Sequence, residues 1–186
     1  FLHSCAAIER IGYPVAYLPA DEDGRILPET LDRYISDRTR LVSVMTANNE
    51  IGTIQDIARL ADIAHAHGAM FHTDAVQAVC RIPIDVKALD VDMLSASAHK
   101  FNGPRGIGFL YIRKGIKVCP FMDGGGQENK NRAGTENTAA IVGMSIALMN
   151  NTQNMRNTSD SIRSLENLLI TKLIEEGLVF RRNGAN

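Results

Sequence analysis

Ile57-Ala58-Arg59-Leu60-Ala61-Asp62-Ile63-Ala64-His65-Ala66-His67-Gly68-Ala69-Met70-Phe71-His72-Thr73-Asp74 is the stretch on which the fold turns. Ile57, Leu60, Ala61 and Ala64 recur at i, i+3, i+4 and i+7, one face of a 3.6-residue period, which predicts an amphipathic helix. Asp56 offers a side-chain acceptor to the orphan N–H groups at its start, and Gly68 lets the chain turn at its end. Ala69 to Thr73 is then a short apolar run of strand type.

The same alternation extends in both directions. Upstream, Leu2 to Arg10 reads as a helix closing at Gly12, Val15 to Leu18 as a short strand, Pro28 to Tyr34 as a helix with proline in its first turn, and Leu41 to Met45 as a strand. Downstream, Asp92 to Ala96 and Ile107 to Ile112 have strand composition, and a glycine-rich loop occupies Asp123 to Gly134. One helix is expected over Glu136 to Met149. A second is expected over about Ser159 to Glu176, with Ile162, Leu165, Leu169 and Leu173 on one face. Short apolar runs alternating with amphipathic stretches predict an α/β architecture.

Composition sets the outer limits. The 186 residues suit one domain, or one domain with part of a second. Hydrophobic residues at 45% and charged residues at 22% are ordinary for a chain that buries a core. Twenty Lys+Arg against twenty-one Asp+Glu leave a net charge of −1, which argues against a nucleic-acid or membrane-surface partner. Thr138 to Met149, the longest nearly uncharged apolar run, is too short to cross a bilayer. Cys5, Cys80 and Cys119 are odd in number and far apart, and no Cys-x-x-Cys occurs. We read all three as small buried hydrophobes in a reducing, cytoplasmic compartment. The chain starts at Phe1 rather than Met and stops soon after a helical pattern closes, so a segment of a longer protein is expected.

Ligands in open α/β sheets bind outside the carboxyl ends of the strands, so the residues just past each predicted strand are the candidates. These are Asn48-Asn49-Glu50, then Asp74 and Gln77, then Ser97, His99 and Lys100. Taken singly, each has a plain structural reading. Asn48 and Asn49 suit a turn, Asp74 a helix cap, and Lys100 a solvated loop. His65 and His67, two apart on a helix, point to different sides and suit the surface, and His72 suits a structural position. Neither a P-loop nor a Gly-x-Gly-x-x-Gly after a strand is present, and no metal site is expected. Taken together, a carboxylate and a lysine at neighbouring strand ends match the needs of pyridoxal phosphate. The lysine amine condenses with the aldehyde, the acid keeps the pyridine nitrogen protonated, and Ser97 and His99 can donate to the phosphate.

Four segments sharpen this. Asn48-Asn49-Glu50-Ile51-Gly52-Thr53-Ile54-Gln55-Asp56 and His72-Thr73-Asp74-Ala75-Val76-Gln77 come first. Ser95-Ala96-Ser97-Ala98-His99-Lys100-Phe101-Asn102-Gly103-Pro104-Arg105-Gly106-Ile107-Gly108 follows. Gly124-Gly125-Gly126-Gln127-Glu128 with Arg132-Ala133-Gly134-Thr135-Glu136-Asn137 completes the set. In this order they resemble the cysteine desulfurases, in the class V branch of fold-type I pyridoxal-phosphate enzymes, over essentially the whole chain. The last segment looks most like the iron–sulfur-cluster group of that family.

The resemblance implies a large domain built as an α/β/α sandwich around a mostly parallel sheet. It implies conversion of L-cysteine to L-alanine, with the sulfur passed as a protein persulfide to an acceptor such as an iron–sulfur scaffold. Lys100 and His99 would be catalytic, with Lys100 holding the cofactor as a Schiff base and then moving the proton between the substrate Cα and the cofactor. Asp74 would pair with the pyridinium nitrogen. Gln77 and Asn49 would bond the 3′-oxygen, with Asn49 also near the substrate carboxylate. Ser97 and His99 would hold the phosphate. Thr135 would reach the phosphate of the neighbouring subunit in a homodimer, and Arg132 in the same loop takes no assigned role.

The resemblance also implies segments that these residues do not match: a phosphate loop and ring-stacking histidine upstream, and a mobile cysteine loop and substrate-binding arginine downstream. Residues 1–150 would then be the cofactor-binding large domain, incomplete at its start, and 151–186 a connecting helix and the beginning of a small domain. On that division the isolated chain would be inactive. A selenocysteine lyase, another class V aminotransferase, or a non-catalytic dimerising module stand as alternatives.

Overall fold

The computed structural model describes residues 2–185. Helix α1 (Leu2–Arg10) leads through an irregular stretch to α2 (Pro28–Tyr34) and strand β1 (Leu41–Met45). Helix α3 (Ile57–Ala66) and strand β2 (Met70–Asp74) follow, then β3 (Met93–Ser97), a 3-10 turn at Ala98–Phe101 and β4 (Gly108–Ile112). After a second 3-10 turn at Glu128–Lys130 the chain runs into α4 (Thr138–Glu175).

The sheet has the order β1-β2-β3-β4. The first three strands are parallel and β4 is antiparallel to β3. It is a mostly parallel open sheet with helices packed on it, as expected. Register pairs Ser43 with His72, Met45 with Asp74, and Asp74 with Ser95, so the carboxyl ends of β1, β2 and β3 lie side by side.

Alternation along the strands separates two faces. Val42, Val44, Phe71, Thr73, Leu94 and Ala96 are buried. Against them pack Leu31 of α2, the stripe Ile57, Leu60, Ala61 and Ala64 of α3, and Ala147 of α4 with Met144 and Leu148. Leu60 and Phe71 are fully removed from solvent, worth about 1.5–3 kcal/mol each in transfer free energy. Asp56 caps α3 by accepting Arg59 N–H at 3.2 Å. The other face carries Ser43, His72, Asp74, Ser95 and Ser97, flanked by Leu41 and Leu110 at 48% and 50% exposure.

A charged cluster fastens the amino end of the sheet. Buried Asp92 accepts Phe71 N–H and His65 Nε2, both at 2.8 Å, and lies 3.4 Å from Arg113 Nε. Asp90 meets His65 Nδ1 at 3.1 Å and Arg113 Nη2 at 2.6 Å. The Arg113 hydrogen bond, ahead of its charge and that of His65, holds the Asp90 carboxyl below the usual range.

Several expectations are corrected. Val15 to Leu18 forms no strand, since among the described residues no segment pairs with it in a ladder, and Tyr17 lies at the surface bonded to Glu9. The two expected C-terminal helices are one 38-residue helix. Residues 150–158 hold neither glycine nor proline, and Asn151 and Asn154 bond back to the carbonyls four residues earlier, so the polar stretch stays in the helix. Residues 150 and 151, on either side of the expected domain division, both lie in α4, which leaves that division untouched, and its outer limits, Phe1 and Asn186, lie outside the described residues. His65 is a half-buried bridge between two acids rather than a surface residue. Of the cysteines, Cys80 is buried, Cys5 half-buried and Cys119 exposed, so the last is no core hydrophobe. Among the described residues no helix is long and apolar enough to cross a membrane.

Candidate active site

The crevice is made by three strand ends. β1 runs into a tight loop because Asn48 Oδ1 accepts Glu50 N–H at 2.8 Å and Ile51 N–H at 3.1 Å, while Asn48 N–H bonds Thr53 O at 2.9 Å. The loop is tied down from outside. Gln55 accepts Ile26 N–H at 2.8 Å and donates to Gly24 O at 2.7 Å, and Thr53 donates to Asp23 O at 2.6 Å. Asn49 projects exposed from this loop, with Nδ2 donating to Glu50 Oε1 at 2.8 Å.

Asp74 is the last residue of β2. One oxygen, Oδ1, accepts Val76 N–H at 2.9 Å, and Oδ2 has no donor among the described residues. A half-buried carboxylate with one oxygen held and the other open is set up to receive a cationic N–H. The strand beneath it is fastened on both faces. On the core side Thr73 Oγ1 donates to Val44 O at 2.9 Å and meets Thr46 Oγ1 at 2.7 Å. On the open side His72 spans Ser43 Oγ at 2.7 Å and Ser95 Oγ at 3.1 Å. Burial pushes the His72 imidazole below its ordinary value, against a smaller opposite pull from Asp74. Gln77 follows in the turn after β2, half-buried.

Ser97 ends β3 on the same face as Asp74, and its hydroxyl meets His99 Nδ1 at 2.8 Å. The chain then tightens into the turn Ala98–Phe101, which carries His99 and Lys100. Asn102 at φ 63°, ψ 19° ends that turn, and Gly103 N–H bonds Ala98 O at 2.8 Å. Lys100 is half-buried, and its ammonium enters no ion pair among the described residues. A Cβ at Gly108 would collide with Ala96 O, so glycine is what lets β4 approach β3 here.

Asp74, Ser97, His99 and Lys100 thus share the carboxyl edge of neighbouring strands, as expected, with Asn49 and Gln77 in the loops just beyond. Thr135 is not bonded to this group. It is exposed in a loop that closes on itself through Gly134 N–H to Gln127 Oε1 at 3.2 Å. Three residues of the site were not singled out in the sequence. Asn151 of α4 and Arg81 both bond the backbone of the lysine turn, and Ser43 closes the His72 row. Their partners lie 50, 19 and 29 residues away, and no local pattern marks such contacts.

This donor set fits pyridoxal phosphate: a carboxylate with one oxygen open among the described residues for the ring nitrogen, an amine on a short turn, and a hydroxyl–imidazole pair for the phosphate. The class-V aminotransferase family model matches residues 2–181. A cysteine desulfurase IscS of Methanosarcina thermophila is 48% identical over 174 residues, which is 94% of this chain and 43% of the relative. A solved NifS-like protein superposes with a TM-score of 0.90 at 37% identity, over 94% of this chain and 48% of its own. A structure described as SspA in complex with cysteine reaches a TM-score of 0.77 at 41% identity, over 80% of this chain and 43% of its own. The chain spans less than half the length of each of these relatives.

Proposed function

Since this chain belongs to the class-V aminotransferase family, we propose that it is the cofactor-binding part of a pyridoxal-phosphate-dependent cysteine desulfurase. The observation that carries the reading is that Asp74, one oxygen open, and the Lys100 turn lie at the ends of adjacent parallel strands. The reaction turns L-cysteine into L-alanine. A protein thiolate attacks the substrate sulfur, an S–S bond forms as the C–S bond breaks, and protons restore the carbon skeleton as alanine. Atoms balance without a further oxidant, because the thiol leaves as a persulfide. The acceptor of that sulfur is a protein such as an iron–sulfur scaffold, and the setting is cytoplasmic.

When bound, pyridoxal phosphate supplies an aldehyde carbon that takes up an amine and a ring that withdraws the electron pair left at the substrate Cα. The chain's own residues do the rest. Asp74, with Oδ1 held by Val76 N–H, would keep a proton on the ring nitrogen and so strengthen that withdrawal. Lys100 Nζ would hold the cofactor and would carry the proton at the substrate Cα. Ser97 Oγ and His99 bind the phosphate, with His99 fixed by its bond to Ser97. Asn49 and Gln77 bond the 3′-oxygen, and Asn49 also orients the substrate carboxylate. Thr135 serves the cofactor phosphate of a second subunit in a homodimer.

The full-length protein is expected to be yellow. Lys100→Ala should abolish both the visible band and the cofactor fixed to protein by borohydride, and a band that survives unchanged takes Lys100 out of the role. Asp74→Ala should slow exchange of the substrate α-proton by about 100-fold or more. Exchange at the normal rate would mean that another group serves the ring nitrogen. Alanine formed from selenocysteine but not cysteine would move the assignment to a selenocysteine lyase.

A further inference from the structure

The lysine turn is not held by the sheet alone. Asn151, about a third of the way along α4, places its side-chain amide directly against it. Nδ2 donates to Phe101 O at 3.0 Å and to Ala147 O at 2.8 Å, and Oδ1 accepts Asn102 Nδ2 at 3.0 Å. Both N–H donors and an acceptor position of the amide are used, so its orientation is fixed. The flipped amide would set oxygen against two carbonyls. Two further contacts brace the same turn. Arg81 Nη2 donates to Lys100 O at 3.4 Å, and Arg81 O in turn accepts Ser159 Oγ of α4 at 3.1 Å. Gly143 permits the close approach, since a Cβ there would stand 2.8 Å from Pro104 Cγ.

We propose that Asn151 is a positioning residue for Lys100. By clamping Phe101 and Asn102, the two residues after the lysine, it fixes the 3-10 turn so that the amine meets the cofactor aldehyde in a reactive pose. The inference rests on the reading of Lys100 given above and adds a residue on a separate element, 51 positions along the chain. A short 3-10 turn ending in a left-handed asparagine has little stiffness of its own. Misplacing a reacting group by about 1 Å slows its chemistry by about 100-fold.

The test uses the full-length protein. Asn151→Asp is nearly isosteric and replaces both N–H donors with an acceptor. Two quantities are measured: the rate at which added pyridoxal phosphate becomes fixed to protein by borohydride, and the affinity for pyridoxamine phosphate, which binds without needing the lysine. Asn151→Asp should slow fixation by about 10- to 100-fold and leave pyridoxamine phosphate affinity unchanged. Asn102→Gly, which deletes one arm of the clamp and tolerates the left-handed backbone, should slow fixation less and add nothing to Asn151→Asp in the double variant. Wild-type fixation rates in Asn151→Asp would overturn the inference, as would equal loss in both measurements, the mark of general damage. If Asn151→Asp does not fold, Asn151→Ser, which keeps a single short donor, is read by the same two measurements. A wild-type protein that fixes no cofactor overturns the reading of Lys100 itself and this inference with it, so the two failures are distinct.

Discussion

His72 sits between the Ser43 and Ser95 hydroxyls, two residues before Asp74 on the same face of β2. Burial keeps the imidazole neutral below its ordinary 6.5, with the Asp74 charge opposing. An unfolded histidine takes up its proton first as pH falls, so this contribution to stability is complete above 6.5 and is lost as pH drops through the lower folded value. His72→Gln keeps a donor and an acceptor but cannot titrate. Its melting temperature should fall less steeply than the wild type's below pH 6.5, and identical slopes would remove His72 as the titrating group. Asp90 behaves as an acid held down by Arg113. Its contribution is present above the ordinary 3.8 and disappears as pH falls through its own lower value. The neighbouring Asp92 is buried among His65, Arg113 and Phe71 N–H. Asp92→Ala should therefore cost about 1–3 kcal/mol in urea unfolding, since it leaves the buried Phe71 N–H without its acceptor and the half-buried Arg113 with one partner fewer.

At the scale of elements, α3 is the joint between β1 and β2, and its packing is simple to test. Leu60→Ala removes a fully buried side chain facing the sheet and should destabilise by about 2–5 kcal/mol, read from the midpoint of chemical denaturation. α3 was legible because its apolar stripe, cap and terminal glycine all agree. The strands were legible as apolar runs, yet β2 and β3 each lie one residue later than expected. The ladder keeps Asp74 paired with Met45 and Ser97 paired with Gly108, and pairing is not written in either strand alone. Val15 to Leu18 has the right composition for a strand but no partner, which a single segment cannot reveal. The join within α4 was hidden because asparagine- and threonine-rich segments look like loops until their side chains are seen bonding back to the helix. Within the site, Asp74, Ser97, His99 and Lys100 could be read because strand ends collect chemistry. Asn151 could not, because its partner turn is 50 residues away.

For the whole molecule, the sheet is covered unequally. Helices bury one face, and the face bearing Ser43, His72, Asp74, Ser95 and Ser97 is half open among the described residues. Phe121, beside the glycine-rich loop, is 99% exposed. On the proposed reading this loop belongs at a subunit interface through Thr135, and sedimentation equilibrium of the full-length protein should give a dimer. A strict monomer that still binds cofactor normally would detach Thr135 from its role. α4 has a mechanical consequence as well. Its 38 residues make a rod about 57 Å long, and the part beyond Ser159 extends about 24 Å. Gripped at Asn151 and again at Ser159, such a rod is a lever with a free arm of about 24 Å, and a tilt of about 5° at the grip swings its tip by about 2 Å. A load placed on the far end would reach the turn that carries the amine through these two grips.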